Sequence, residues 1–146
     1  MTAKIRANIG MILILSAVLL LAIWLFCRKD YDKSFDGDFP DGIEFGMSKD
    51  EIVKVNGYLF TSSTYDNCIE MNYGNGVVFR LDNDKLTSIR ETAPEEQALA
   101  LLSKYGVPDK EKRGLYSWYG KVGETKCTLR CGKEPLTGFE IEFILG

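Results

Sequence analysis

The chain has 146 residues, of which 45% are hydrophobic and 27% charged, a balance that excludes a disordered or low-complexity protein. Eighteen Lys and Arg residues against 21 Asp and Glu residues give a net charge of −3, which argues against a nucleic-acid-binding domain. The sequence contains no histidine, so Ser–His and Cys–His catalytic pairs and histidine-ligated metal sites are excluded.

The N-terminal part contains one long apolar run. Residues 9–27 carry no charged side chain, and a helix of that length would measure about 28 Å, close to the hydrocarbon thickness of a bilayer. We therefore predict a short tail over 1–8 and an uncleaved transmembrane anchor over 9–27. A cleaved signal peptide is the alternative, but the run is long for one and ends without a small-residue cleavage site.

The next segment, residues 28–44, is acidic and shows neither a helical nor a strand period. It holds six acids and one lysine between Asp30 and Glu44, which predicts a solvated juxtamembrane tether. Basic residues flank both ends of the apolar run, so the short tail and the acidic segment decide the predicted orientation. We predict a single-pass cell-membrane protein whose C-terminal domain is extracytoplasmic; a cytoplasmic domain is the alternative.

The remaining chain, residues 45–146, is predicted to form one α+β domain of two units. In the first unit, 45–91, Ser48 and Glu51 have the spacing of a capping box that opens a short helix, and Gly57 ends it. Alternating apolar residues and an Asn-Gly turn then predict an antiparallel meander. Its strands cover 68–73, 77–81 and 85–90.

The second unit, 92–146, repeats the order of elements without repeating the letters. Thr92 is the expected cap of a second helix, which Gly106 ends. Three more strands are predicted over 115–121, 125–131 and 139–145. In the last of these, apolar residues alternate with Glu140 and Glu142, as in a strand with one buried face.

The predicted fold class is therefore α+β: an N-terminal single transmembrane helix, then two tandem helix-plus-three-stranded-antiparallel-meander units. The units are predicted to form one sheet with the helices on one face. Two short helices can cover only one face of six strands, so the other face is either solvated or meets a partner.

The letters from Gly46 to Ile52 resemble the opening motif of the SmpA/OmlA family, the small lipoprotein of the outer-membrane barrel-assembly machinery. The two-unit layout is similar to the tandem fold of the beta-lactamase inhibitor proteins. These resemblances imply an extracytoplasmic, non-enzymatic protein that binds other proteins on a sheet surface. Only the architecture and this class of role are carried over, because residues 55–58 lack the family's proline and Phe26 replaces the small residue of a lipobox.

Three cysteines lie in the predicted domain. Cys127 and Cys131 share one face of a strand about 13 Å apart, too far for a disulfide with each other. A disulfide of Cys68 with Cys127 or with Cys131 is one interpretation. The other is that all three are buried apolar residues.

No metal site, cofactor or catalytic residue is predicted. The acidic groups at 36–41 and 82–84 lack the spacing of a calcium loop, and the two cysteines of the last unit have no further zinc ligands beside them. Glu140 and Glu142 are better explained as the wet side of a strand than as an acid–base pair.

An aromatic and basic cluster supplies the candidate partner-binding residues. Tyrosine, tryptophan and arginine are enriched at binding hot spots. The alternation of the strand places Tyr116 and Trp118 on one face and Tyr119 on the other, so one set leaves the core, and core packing of Trp118 is favoured. The candidates are Tyr116, Trp118, Tyr119 and Arg113.

The predicted function is that of a membrane-anchored extracytoplasmic protein-binding module of the inhibitor, immunity or envelope-assembly accessory type, without catalysis. Its predicted partners are the membrane, through a single span, and another envelope protein, with neither nucleic acid nor a small-molecule cofactor. The alternative is a small-ligand or ion-sensing extracytoplasmic domain. An exposed aromatic patch on the sheet would favour the first function, and a concave pocket with convergent polar groups would favour the second.

Overall fold

The computed structural model describes residues 14–25, 28–134 and 138–146. The chain divides into two units, Met1–Asp30 and Tyr31–Gly146. In the first unit, residues 14–25 are helical and are called α1.

The predicted membrane anchor is contradicted by the structure. Among the described residues, no helix has both the length and the apolar character needed to cross a membrane. The predictions of a transmembrane helix over 9–27, of a single-pass protein and of a cell-membrane location with an extracytoplasmic domain are therefore wrong. Residues 9–13 and 26–27 of the predicted anchor lie outside the described residues.

The second unit is built on one sheet with two further helices. The helices are α2, Lys49–Asn56, and α3, Glu95–Tyr105. The strands that the structure describes are β1 Lys33–Ser34, β2 Phe60–Tyr65, β3 Cys68–Tyr73, β4 Val77–Asp82, β5 Lys85–Thr92, β6 Lys110–Lys112, β7 Leu115–Val122, β8 Thr125–Glu134 and β9 Gly138–Leu145.

The order of strands across the sheet is β1-β7-β8-β9-β5-β4-β3-β2, and β6 also pairs with β7. All pairs are antiparallel except β1 with β7. The strands β2–β5 and β7–β9 form two meanders, and the pairing of β5 with β9 joins them into one sheet.

The predicted fold class is wrong in its helices and strands. The described residues hold nine strands and three helices, not six strands and two helices after a membrane span. The strand β2 has the sequence FTSSTY, in which no apolar residue alternates with a polar one, because five of its six side chains are exposed. The strands β1 and β6 have only two and three residues, too few to show a period of two.

One row of side chains crosses the sheet and forms the centre of the core. These residues lie opposite one another on six neighbouring strands, and none is more than 3% exposed. From β7 to β3 they are Trp118, Leu129, Phe143, Ile89, Phe79 and Met71. The helices cover this face: Ala98 and Leu101 of α3 and Ile52 and Val53 of α2 are buried.

A β-bulge in β5 sets which residues reach the core. Leu81 of β4 lies opposite Leu86, whereas Arg80 lies opposite Ser88, so Thr87 is the extra residue. Leu86 and Ile89 are three positions apart and would face opposite ways in a regular strand. Because of the bulge both are buried, at 0% and 2% exposure.

The segment predicted as a tether belongs to the folded unit. Phe35, Phe39 and Ile43 are buried in the same core as the sheet residues. The ring of Phe35 packs edge-on against Tyr105, at 5.1 Å between centroids, and that of Phe39 against Phe143, at 5.3 Å. Each apolar residue is separated from the next by three residues that include an acid. The acidic composition of the segment therefore masks the regular spacing of its apolar residues.

The two helices of this unit begin in different ways. The capping box of α2 is confirmed, because Ser48 accepts from Glu51 N and the Glu51 side chain accepts from Ser48 N. The predicted cap of α3 is wrong: Pro94 is the N-cap residue and makes no side-chain cap hydrogen bond. Thr92 instead continues β5, opposite Glu140.

Candidate functional site

The predicted partner-binding residues do not form one surface. Trp118 is fully buried, and its Nε1 donates a hydrogen bond to Gly106 O at 3.1 Å. Tyr116 is half-buried on the same, helix-covered face, with its ring 6.5 Å from that of Trp118. Tyr119 lies on the opposite face, 5.8 Å from the ring of Tyr31, and Arg113 is exposed in the turn between β6 and β7.

The structure does not bring Cys68 together with either of its predicted disulfide partners. All three described cysteines are buried free thiols. Cys68 is on β3, four strands away from Cys127 and Cys131 on β8, a lateral distance of about 19 Å. Burial raises the pKa of the Cys127 thiol to about 12 and that of Cys131 to about 11.

The face of the sheet opposite α2 and α3 has cross-strand polar pairs at its centre. Arg130 Nη1 lies 3.3 Å from Glu142, which also accepts a hydrogen bond from Ser88 at 2.9 Å. Arg90 Nε lies 3.9 Å from Glu140. The centre of this face therefore carries paired charged and polar side chains, and Tyr119 of β7 lies on the same face against Tyr31.

A cleft lies on the helix-covered face instead, with a volume of about 590 Å³. This is within the range of small-molecule sites, roughly 300–1,000 Å³. One wall comes from α3, and others from the segment after β1, the last residue of α2 and the β3–β4 turn. Its apolar lining residues on the sheet are Tyr73, Val77, Phe79, Ile141 and Phe143.

Glu91 supplies a carboxylate to this cleft. It lies on β5 directly between Ile141 of β9 and Val77 of β4. Its side chain is half-buried, and none of the described residues gives it a hydrogen bond or an ion pair. Burial raises the pKa of Glu91, and the negative charge of Asp38 raises it further.

Asp38 is the second carboxylate of the cleft, but it is already paired. Both of its oxygens lie 2.8 Å from Lys104 Nζ, and the Tyr105 hydroxyl donates a hydrogen bond to it. The pKa of Tyr105 is raised mainly by burial and also by this hydrogen bond. The pair ties the segment after β1 to α3 and neutralises Lys104, so the cleft as a whole has one uncompensated negative charge when Glu91 is ionised.

The polar groups at the edge of the cleft are neutral amides. They come from α2, from the β3–β4 turn and from α3: Asn56, Asn75 and Gln97. Amides donate and accept hydrogen bonds, so they can orient a ligand whose apolar part lies on the sheet. Within the described residues no group of three or more His, Cys, Asp or Glu side chains could hold a metal ion.

Sequence reasoning did not find this cleft. Glu91 follows an apolar residue by two positions, Ile89, and that spacing places it on the core face of β5. A glutamate at a core position is the one signal of the cleft that the sequence offers. The extra residue Thr87 obscures this signal, because the bulge breaks the alternation of apolar and polar residues in β5. The other lining residues come from five separate parts of the chain.

No family model matches the chain, and no curated protein or solved structure matches it either. The resemblance to the SmpA/OmlA family and to the beta-lactamase inhibitor proteins therefore stays a prediction, carried by residues 46–52 and by the layout of two units.

Proposed function

We propose that the unit Tyr31–Gly146 is a non-catalytic binding domain for a small ligand, which it holds in the cleft above Glu91. The observation that carries the proposal is the combination of a cleft of about 590 Å³ with a half-buried carboxylate that no described residue partners. A pocket with an apolar floor, a few convergent polar groups and a perturbed carboxyl is the usual form of a ligand site.

The chemistry of the cleft favours a ligand with an apolar body and a protonated amine. The apolar body would rest on Val77, a half-buried apolar residue beside Glu91, and the amine would donate to Glu91. A carboxylate accepts hydrogen bonds and has none to give when ionised, so the ligand must supply the donor. A cation also offsets the uncompensated charge of Glu91, because Asp38 is occupied by Lys104.

The protein-binding hypothesis stays a prediction with weaker support. Its candidate anchors, Tyr116, Trp118, Tyr119 and Arg113, are split between the core, both sheet faces and a turn. The feature that would favour it, an aromatic patch on the open sheet face, is replaced at the centre of that face by pairs of charged and polar side chains.

The test uses three probes with the same phenylbutyl skeleton and different end groups: 4-phenylbutylamine, 4-phenylbutan-1-ol and 4-phenylbutyrate. Binding to the full chain is followed by the backbone amide chemical shifts of the cleft residues. At about 0.3 kcal/mol for each of eleven non-hydrogen atoms, we expect the amine to bind with a Kd of roughly 4 mM. The alcohol should bind more weakly, and the carboxylate should not bind.

The variant Glu91→Gln should weaken amine binding at least tenfold, because a hydrogen bond to a charged group contributes about 1.5–3 kcal/mol. Glu96→Gln is the matched control: it removes the same charge from an exposed residue of α3 that does not line the cleft. Equal binding of the three probes, or equal effects of the two variants, would contradict the proposal.

A further inference from the structure

Within the part of the chain that the structure describes, the β2 edge of the sheet lacks the features that normally protect an edge strand. In the described sheet β2 pairs only with β3, and their register runs from Phe60 to Tyr65 without a bulge. Residues 57–65 contain neither a charged side chain nor a proline. Natural proteins usually protect such an edge with lysine, proline, a bulge or a covering loop, because its unpaired N–H and C=O groups accept another strand.

Large apolar side chains accompany this open edge. Tyr58 is 84% exposed and Leu59 is 91% exposed, and both directly precede β2. Tyr65, at the other end of the strand, is 47% exposed. The edge therefore presents apolar groups at both ends and small hydroxyl residues, Thr61 to Thr64, between them.

We propose that β2 pairs with β2 of a second copy of this chain, antiparallel and about a two-fold axis at Ser62. A two-fold axis perpendicular to the sheet leaves each side chain on its own face. Residues directly opposite each other in an antiparallel pair also share a face. The axis must therefore lie midway between the two copies of one residue, and not between two successive residues. An axis at Ser62 pairs the whole segment from Leu59 to Tyr65 with itself.

This register is self-complementary in side chains. Leu59 of each copy lies opposite Tyr65 of the other, which gives two aliphatic–aromatic pairs. Thr61 lies opposite Ser63, and such hydroxyl pairs form hydrogen bonds across strands. The first charged residue beyond the segment is Asp66, which meets Tyr58, so no like charges are opposed although each chain has a net charge of −3.

The first experiment measures the molar mass of the full chain by analytical ultracentrifugation across a hundredfold range of concentration. We expect a monomer–dimer equilibrium. Ser62→Lys places two ammonium groups directly opposite each other at the axis and should raise the dimer Kd about fivefold. Thr64→Lys is the matched control, because its lysine faces Phe60 and should change the Kd much less.

The second experiment uses disulfide cross-linking under mild oxidation. Residues opposite each other in an antiparallel pair are about 4.5–5.5 Å apart at Cα, which a disulfide spans. Ser62→Cys should therefore link two copies through position 62, as read by mass spectrometry of the linked peptides. Thr64→Cys should not, because its two copies lie about 13 Å apart along the strand.

Three results would overturn the proposal. One is a monomer at every concentration. Another is a dimer that Ser62→Lys leaves intact, which would place the contact elsewhere, for example at the exposed apolar side chains of α1. The third is equal cross-linking of the two cysteine variants, which would show random collision.

Discussion

Replacing Phe35 by alanine tests whether the acidic segment predicted as a tether, within residues 28–44, is part of the folded unit. The ring of Phe35 is fully buried and contacts Tyr105 at 5.1 Å and Phe143 at 6.2 Å between centroids. It is packed so closely that a Cβ added at Gly120 would lie 2.8 Å from it. The backbone N–H of Phe35 also donates to Lys121 O at 2.8 Å, so the segment is held in place and the site cannot collapse easily.

The expected cost follows from this packing. Removing a fully buried phenylalanine side chain lowers the free energy of unfolding by about 3–5 kcal/mol, through lost burial and the cavity left behind. At about 4 °C per kcal/mol for a unit of this size, Tm should fall by roughly 12–20 °C. The free energy of unfolding is measured by urea unfolding, followed through tryptophan fluorescence. The urea midpoint should fall, and the slope of the free energy against urea concentration should stay unchanged.

The control for Phe35→Ala is Asp41→Ala, an exposed residue of the same segment. Its effect should stay within about 0.5 kcal/mol. If the segment were a solvated tether, both variants would behave alike, and a loss below about 0.5 kcal/mol for Phe35→Ala would refute the packing described above.

Four further outcomes follow from the same structure. Because the folded-state pKa of Glu91 is raised, stability should fall as pH rises from the ordinary carboxyl range through that pKa, and Glu91→Gln should remove this slope in a pH series of urea midpoints. Asp38→Asn breaks the Lys104 pair and weakens the Tyr105 contact, and should cost about 1–3 kcal/mol by the same assay; no loss would show that the contacts are not formed in solution. Gly120→Ala should destabilise by about 1–3 kcal/mol, because its Cβ would overlap the backbone oxygen of Lys33; a neutral result would contradict the pairing of β1 with β7. The Cys127 and Cys131 thiols should resist alkylation at pH 8 until the protein is unfolded, and rapid labelling of native protein would contradict their burial.

Elements with a local signature could be predicted from the sequence. The capping box of Ser48 and Glu51 lies where expected, because it depends on residues three apart. The strand 68–73 is confirmed at both ends, because its apolar residues alternate and an Asn-Gly turn follows. The last strand is likewise confirmed within one residue of its predicted start.

Elements that depend on distant contacts could not be predicted. The strand β2 has no apolar period because it forms the sheet edge, and only β3 reveals it. Phe35 and Phe39 lie among acidic residues in the sequence, so their burial has no local signal. One of these acids, Asp38, pairs with Lys104, which is 66 residues further along the chain. The length of the apolar run at 9–27 predicts a membrane span, but no helix among the described residues is long and apolar enough to form one.

The candidate site was missed for the same physical reason. The floor of the cleft joins residues of β3, β4, β5 and β9, and the pairing of β5 with β9 that assembles it has no local signal. The aromatic cluster drew attention because tryptophan and tyrosine are common in interfaces. Trp118 instead fills the core, where its indole N–H is satisfied by Gly106 O.

The most direct test of the ligand-binding proposal is the carboxyl pKa of Glu91, measured from its side-chain carbon chemical shift against pH. Without ligand, the pKa should lie above the ordinary value, because the carboxylate is half-buried beside Asp38. With saturating 4-phenylbutylamine it should fall, because a bound cation stabilises the ionised form. An ordinary pKa that the amine does not change would contradict the proposal that this cleft binds a cationic ligand.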